Sequence, residues 1–94
     1  MKTAKPQFPL GRIVFTPGAI DALIRAKQDV HNFINRHMNG DWGDLPDEDK
    51  AENEYSIEHG FRILSGYTTA AGEKLWVITE ADRSATTLLL PEEY

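Results

Sequence analysis

Apolar residues in the first half of this chain recur every three or four positions, whereas beyond Phe61 they run in short extended stretches. The first pattern belongs to helices with one covered face and the second to strands. Gly11-Arg12-Ile13-Val14-Phe15 predicts a short strand, an edge of the later sheet. Thr16-Pro17 then predicts a helix start, since the threonine hydroxyl can accept from a free N–H and proline at the first helical position has none to waste. Ile20, Leu23 and Ile24 supply that helix with a stripe. The stripe restarts after Lys27-Gln28-Asp29, where Val30, Phe33, Ile34 and Met38 predict a second helix stopped by Gly40. Asn39 to Pro46 holds two glycines, a proline and two aspartates, and predicts a structured turn whose Trp42 plugs into the core. A third helix is predicted from Pro46 to His59, capped by Asp44 or a neighbour, with acidic residues in its first turn and Gly60 as terminator. Its stripe is thin, with Ala51, Tyr55 and Ile57 or His59, so it faces mostly solvent.

From Phe61 onward three strands are predicted, Phe61 to Thr69, Lys74 to Ala81 and Ala85 to Leu90. They are joined by Ala70-Ala71-Gly72-Glu73, where Gly72 can supply a positive φ, and by Asp82-Arg83-Ser84. Neither face of the first two strands is cleanly polar. A central strand covered on both sides is therefore expected, by the helices and the N-terminal arm or by a second copy of the chain. The fold expected is α+β: a short N-terminal strand, three helices, then a three-stranded antiparallel meander. It forms a single domain over residues 11–94, preceded by a flexible arm over residues 1–10, where Pro6 and Pro9 break regular structure.

Composition narrows the class. The chain has 94 residues and no cysteine, so disulfides and thiolate metal sites are excluded. Residues 1–10 lack an apolar run and no stretch approaches transmembrane length, so no signal peptide or membrane association is expected and a cytoplasmic address is. The net charge of −5 is unevenly distributed. Residues 1–40 carry six basic against two acidic residues, +4, whereas residues 41–58 carry eight acidic residues against Lys50 alone, −7. Such an acidic block repels phosphate, which disfavours direct nucleic-acid binding; it leaves room for a basic partner that DNA would also bind, although the plainer reading of an acidic helix is a solvated face.

Two polar constellations stand out. Arg36 and His37 precede Asp41, Trp42 and Asp44. An imidazole and two carboxylates can hold a divalent cation, with His37, Asp41 and Asp44 as the ligands, although the spacing matches no named metal motif. The plainer reading has Arg36 or His37 complementing a helix C-terminus and the aspartates tying down the turn. The second constellation is the corner between the last two strands, with Glu80, Asp82 and Arg83 flanked by Thr79, Ser84, Thr86 and Thr87. Paired carboxylates with an arginine can do acid/base work if burial separates their pKa values, and the hydroxyls can orient a substrate. The plainer reading is a hairpin turn tied down by an aspartate side chain and an arginine–carboxylate pair. If the two regions meet with Tyr67 between them, they become one site. His31 and His59 are isolated. No phosphate loop, zinc-protease pattern or nucleophile elbow is found, and nothing calls for a cofactor.

Phe15-Thr16-Pro17-Gly18-Ala19, Arg36-His37 followed by Gly40 to Leu45, Arg62-Ile63-Leu64-Ser65, Ile78 to Ser84, and Thr86-Thr87 with Leu89 to Tyr94 together resemble a family of small bacterial proteins often encoded on plasmids, phages and integrated mobile elements. The resemblance covers nearly the whole chain from Gly11. It implies a compact single-domain fold and a mobile-element context, and it brings no established activity. Some members bear the label of a type I restriction subunit, but this chain is far too short for a methyltransferase and lacks its cofactor loop. The leading expectation is a non-enzymatic protein-interaction module with a protein partner, working through the acidic third helix and the Gly40–Leu45 turn; a homodimer is compatible with it. The alternatives are a small metal-dependent or acid/base enzyme and an acidic mimic of DNA.

Overall fold

Seven elements and a final turn follow one another in the computed structural model, which describes residues 7–94. They are β1 (Arg12–Phe15), α1 (Pro17–Ala26), α2 (Val30–Met38), α3 (Asp47–His59), β2 (Ile63–Thr68), β3 (Lys74–Thr79), β4 (Ala85–Leu89) and a 3₁₀ turn, Pro91–Glu93. The strands form one sheet in the order β1-β4-β3-β2. β2, β3 and β4 are the expected antiparallel meander, with Ile63 opposite Thr79 and Val77 opposite Leu88. The sheet does not end there. β1 lies beside β4 and parallel to it, Ile13 opposite Thr86, so the sheet has four strands and is mixed. A parallel neighbour needs a long crossover, and the three helices and two further strands between β1 and β4 provide it.

The pleat sorts side chains to two faces. Ile13, Ile63, Ser65, Tyr67, Leu75, Val77, Thr79, Thr86 and Leu88 share one face by register, and α1, α2 and α3 pack on β4, β3 and β2 respectively. Tyr67, Leu75, Val77 and Leu88 meet Ala19, Ala22, Leu23, Phe33 and Ile34 there in the main core. On the opposite face Tyr94 sets its ring edge-on to Trp76 at 5.8 Å.

Helix starts follow the chemistry expected of them. Thr16 Oγ1 accepts from Ala19 N at 3.2 Å with Pro17 behind it, and Asp29 Oδ1 accepts from His31 N at 2.9 Å. The buried stripe of α1, however, is Ala19, Ala22 and Leu23, while Ile20 and Ile24 are 46% and 68% exposed. Two alanines let the helix lie close on β4, and that approach turns the isoleucines outward. In α3 the expected stripe of Ala51 and Tyr55 does not face inward; the helix buries only Asn53 and Ser56. Of the expected stripe Ile57 is half-buried and packs against the Phe8, Trp42 and Ile63 cluster, and hydrogen bonds add to this hold. Asn53 Nδ2 donates to the Leu64 carbonyl at 2.6 Å and Asn53 Oδ1 accepts from Leu64 N at 3.1 Å. Asp44 does not cap α3, for its carboxylate accepts from Thr68 Oγ1 at 2.7 Å and Pro46 stands at the cap position.

These contacts close the β2 edge of the sheet. Asn53 mimics a neighbouring strand at Leu64, and one step along, Gly66 N donates to Trp42 O at 3.1 Å while Asp44 N donates to Gly66 O at 2.6 Å. Unpaired strand edges recruit other strands, and natural sheets cover them. The arm expected over residues 1–10 lies outside the described residues for residues 1–6. Its remainder is packed, since Gln7 N donates to Met38 O at 2.8 Å and Phe8 is buried. No helix among the described residues is long and apolar enough to cross a membrane.

Candidate functional site

His37 stands four residues after Phe33, on the inner face of α2, and it is fully buried. Phe8 sets its ring edge-on to the imidazole at 5.2 Å and Trp42 does so at 6.0 Å. Below it, three strands each place a hydroxyl on the helix-facing side. His37 Nδ1 is 2.5 Å from Ser65 Oγ and Nε2 is 2.9 Å from Thr79 Oγ1; Thr79 Oγ1 is 2.7 Å from Thr86 Oγ1, which donates to the Leu10 carbonyl at 2.7 Å.

The end of this chain assigns its direction. A carbonyl only accepts, so the Thr86 proton points to Leu10 and Thr86 accepts from Thr79. Thr79 then accepts from His37, which puts the ring proton on Nε2 and leaves Nδ1 to accept from Ser65. This arrangement requires a neutral ring, and burial among uncharged neighbours lowers the His37 pKa to about 4. The chain therefore ties α2, all three meander strands and the segment before β1 together through one imidazole.

The other residues of the first constellation lie outside this core. Arg36 Nε donates to Asp41 Oδ2 at 2.6 Å, its guanidinium lies 4.5 Å over the Tyr67 ring, and Asp41 Oδ1 accepts from Gly43 N at 3.2 Å. The Arg36 bond holds the Asp41 carboxyl below the usual range. Tyr67 donates its phenolic proton to Asp41 O at 2.7 Å, and burial pushes its pKa up, so it anchors the turn as a neutral donor. Trp42 is buried and its indole N–H reaches Glu54 on α3 at 2.8 Å. Gly43 and Gly66 form a parallel bridge.

The corner after β3 is a turn that binds a helix end. Asp82 Oδ1 accepts from Ser84 N at 3.0 Å, and the Ser84 bonds lower the Asp82 pKa. Arg83 adopts φ +61 and folds its guanidinium towards α3, donating to Phe61 O at 2.7 Å, Ser56 O at 2.9 Å and Glu80 O at 3.1 Å. It thus adds a charged donor to the Ser56 carbonyl in the last turn of α3 and satisfies Phe61 O just beyond the helix, where positive charge is also favoured by the helix dipole. Replacing Arg83 with alanine is expected to destabilise the fold by about 2 kcal/mol, and lysine, lacking the planar fork, is expected to recover little. Urea unfolding of Arg83→Ala and Arg83→Lys checks this. Glu80 is exposed at the same corner.

The two constellations therefore meet at one point only. His37 reaches Thr79, and Phe8 touches both the imidazole and, at 5.8 Å, the Arg83 guanidinium. Tyr67 does not lie between them. It sits towards the far end of β2 with Asp41 and Asp44, whereas the Glu80–Ser84 corner adjoins Phe61 and the start of that strand. His37, Asp41 and Asp44 do not converge on a cation: both imidazole nitrogens are taken by hydroxyls, Asp41 by Arg36 and Asp44 by Thr68. Among the described residues no group of three histidine, aspartate or glutamate side chains is placed to hold a metal ion. Ser65 and Phe8 complete the buried cluster and were missed in the sequence. The signal for Ser65 was a hydroxyl at an inward position of an otherwise apolar strand.

What the fold leaves outward is α3. Asp47, Glu48, Asp49, Glu52, Glu54 and Glu58 are all exposed along it. At its end Tyr55 stacks on His59, with centroids 3.9 Å apart, and on Phe61 at 5.9 Å, yet Tyr55 and Phe61 remain 52% and 53% exposed. Between the helix and β2 lies an open hollow of about 230 Å³, lined by Leu45, Asp49, Glu52, Ser56, Arg62 and Leu64 among others. No family model, curated protein or solved structure matches this chain.

Proposed function

We propose that the protein is a small non-enzymatic interaction module that binds a basic protein surface through the outward face of α3 and the adjoining Gly40–Leu45 turn. The carrying observation is the stacked Tyr55, His59 and Phe61 left half-exposed at the end of a helix whose other outward side chains are largely acidic. Aromatic side chains are the usual anchors of protein interfaces, and a surrounding field of one sign steers a partner of the other. An acid/base or metal-dependent enzyme is less well supported, because His37, Asp41, Asp44, Asp82 and Arg83 are engaged with neighbouring side chains or the backbone and leave Glu80 alone at its corner. The resemblance of the sequence to mobile-element proteins makes a host or element-encoded protein the natural class of partner.

The test is affinity capture from a native cell extract with the folded chain as bait, compared with a Tyr55→Ala/Phe61→Ala variant. The expected result is a discrete protein retained at low salt, released as salt screens the acidic face, and lost with the double variant. A folded bait that retains nothing at low salt, or that retains the same protein without the two rings, counts against the proposal.

A further inference from the structure

The two edges of the sheet are treated differently. The β2 edge is closed by Asn53 and the Trp42–Asp44 segment, as described above. On the other side, Arg12 N donates to Ser84 O and Thr16 N to Leu88 O, both at 3.0 Å. In a parallel pair the residues that face the neighbour alternate, so the N–H and C=O groups of Ile13 and Phe15 point away from β4. Among the described residues these groups have no hydrogen-bond partner. Val14 and Phe15 are each 37% exposed, and Phe15 joins Ile20, Ile24 and Val30 in lining an open apolar hollow beside the strand.

We infer that β1 is the seam of a two-fold homodimer in which two β1 strands pair antiparallel about an axis through Val14. The geometry is self-complementary. With Val14 on the axis, Ile13 of one copy lies opposite Phe15 of the other, and the two residues exchange both N–H···O=C bonds, once on each side of the axis. Every outward group of β1 is satisfied, and the two four-stranded sheets become one continuous sheet of eight strands.

Charge also fits this register. Arg12 of one copy falls opposite Thr16 of the other, on the same face of the sheet. Thr16 Oγ1 donates to Glu93 Oε1 at 2.5 Å, and Glu93 Oε2 accepts from Gly18 N at 3.0 Å, so a fixed carboxylate waits at that position. Arg12 is exposed and forms no ion pair among the described residues. The axis repeats the Arg12–Glu93 pairing at both ends of the seam. On the helix side, Phe15 meets Ile13 of the other copy and the two apolar hollows face each other. The strands are short, so the association is reversible and rises with concentration. The dimer goes beyond the function proposed above, since it would carry one α3 surface at each end of the joined sheet and double its valency.

The absence of cysteine makes the test clean. In Val14→Cys the only possible disulfide joins two copies, and residues facing across an axis in a pair without hydrogen bonds have Cα atoms about 4.5 Å apart, within the span of a disulfide. Mild oxidation is expected to link Val14→Cys at least about tenfold faster than Ala71→Cys, whose thiol sits on the remote hairpin loop, given this difference in proximity. Sedimentation of the unaltered chain is expected to show a monomer–dimer equilibrium. Phe15→Pro, which removes an N–H with no partner among the described residues, and Arg12→Glu, which sets like charge against Glu93, are each expected to shift it to monomer. If Phe15→Pro fails to fold, Arg12→Glu decides, because Arg12 has no side-chain partner among the described residues. Equal linking rates at the two positions, or a dimer indifferent to Arg12→Glu, would overturn the inference. So would a monomer at every concentration, which would leave this edge to a strand of another protein.

Discussion

Between pH 6.5 and about pH 4 the protein is expected to lose about 3 kcal/mol of folding stability through His37 alone. The imidazole has its ordinary pKa of 6.5 when the chain is unfolded and about 4 when it is folded. In that window the unfolded chain binds a proton that the folded chain refuses, so falling pH favours unfolding. The contribution is fully present above pH 6.5 and is lost progressively down to the folded pKa. The cause is desolvation. Phe8, Trp42, Ser65 and Thr79 around the ring carry no charge, and a second ring proton would force Ser65 to stop donating. A domain of this size commonly has about 5–15 kcal/mol in total, so the loss is large.

Carboxylates held low by their partners add to acid unfolding in a different window. Asp41 beside Arg36, Glu73 beside Arg25 and Glu93 beside Thr16 give up their share only as pH falls below the ordinary carboxylate range. Urea unfolding at several pH values separates the two. His37→Leu is expected to be less stable near neutral pH, because Ser65 loses its acceptor, but to show a nearly flat response between pH 6.5 and about 4. An unchanged slope in that variant would remove His37 from the explanation.

Gly43→Ala is expected to cost more than about 3 kcal/mol, well beyond the roughly 1–2 kcal/mol expected for Gly60→Ala. Both glycines hold a positive φ, +78 and +75, so both substitutions carry the strain of a side chain in the left-handed region. They differ in what surrounds the new methyl group. At Gly43 it would fall 2.0 Å from Gly66 O and 2.6 Å from the Tyr67 ring, whereas at Gly60 nothing lies within 4 Å. The Gly43–Gly66 bridge is where the turn seals the β2 edge, so forcing it apart also exposes Gly66 and Leu64. Thermal unfolding of the two variants measures the difference directly, and equal losses would mean that the bridge contributes nothing beyond backbone conformation.

Much of the fold was legible because local chemistry and tertiary structure agree. Thr16-Pro17, Gly60 and the Ala70–Glu73 loop have the residues their backbone conformations require, and the strand stretches are too short and too β-branched to be read otherwise. Two features resisted reading for physical reasons. The face of a short helix depends on how closely it approaches its sheet, and in α1 the alanines set that approach, leaving Ile20 and Ile24 outside. The anchoring of α3 combines Ile57 with polar contacts from Asn53, Trp42 and Arg83, and no periodicity records the polar ones. The candidate site was half legible. Arg36, His37, Asp41, Asp44, Asp82 and Arg83 all do something specific, but sequence proximity grouped His37 with the aspartates, whereas the inward side of α2 gives it to Ser65 and Thr79. The corner arginine was read beside a carboxylate and instead serves the carbonyls of a helix more than twenty residues earlier.

Under the proposed function the working surface is α3, and the buried cluster and the corner hold that surface in place. Photo-crosslinking in the native cell tests this most directly, with the photoreactive residue introduced at Tyr55 in one variant and at Asp82 in another. The prediction is a discrete adduct with a second protein from position 55, lost when the acidic side chains of α3 are neutralised, and none from position 82. An adduct from position 82 with none from position 55 would contradict it.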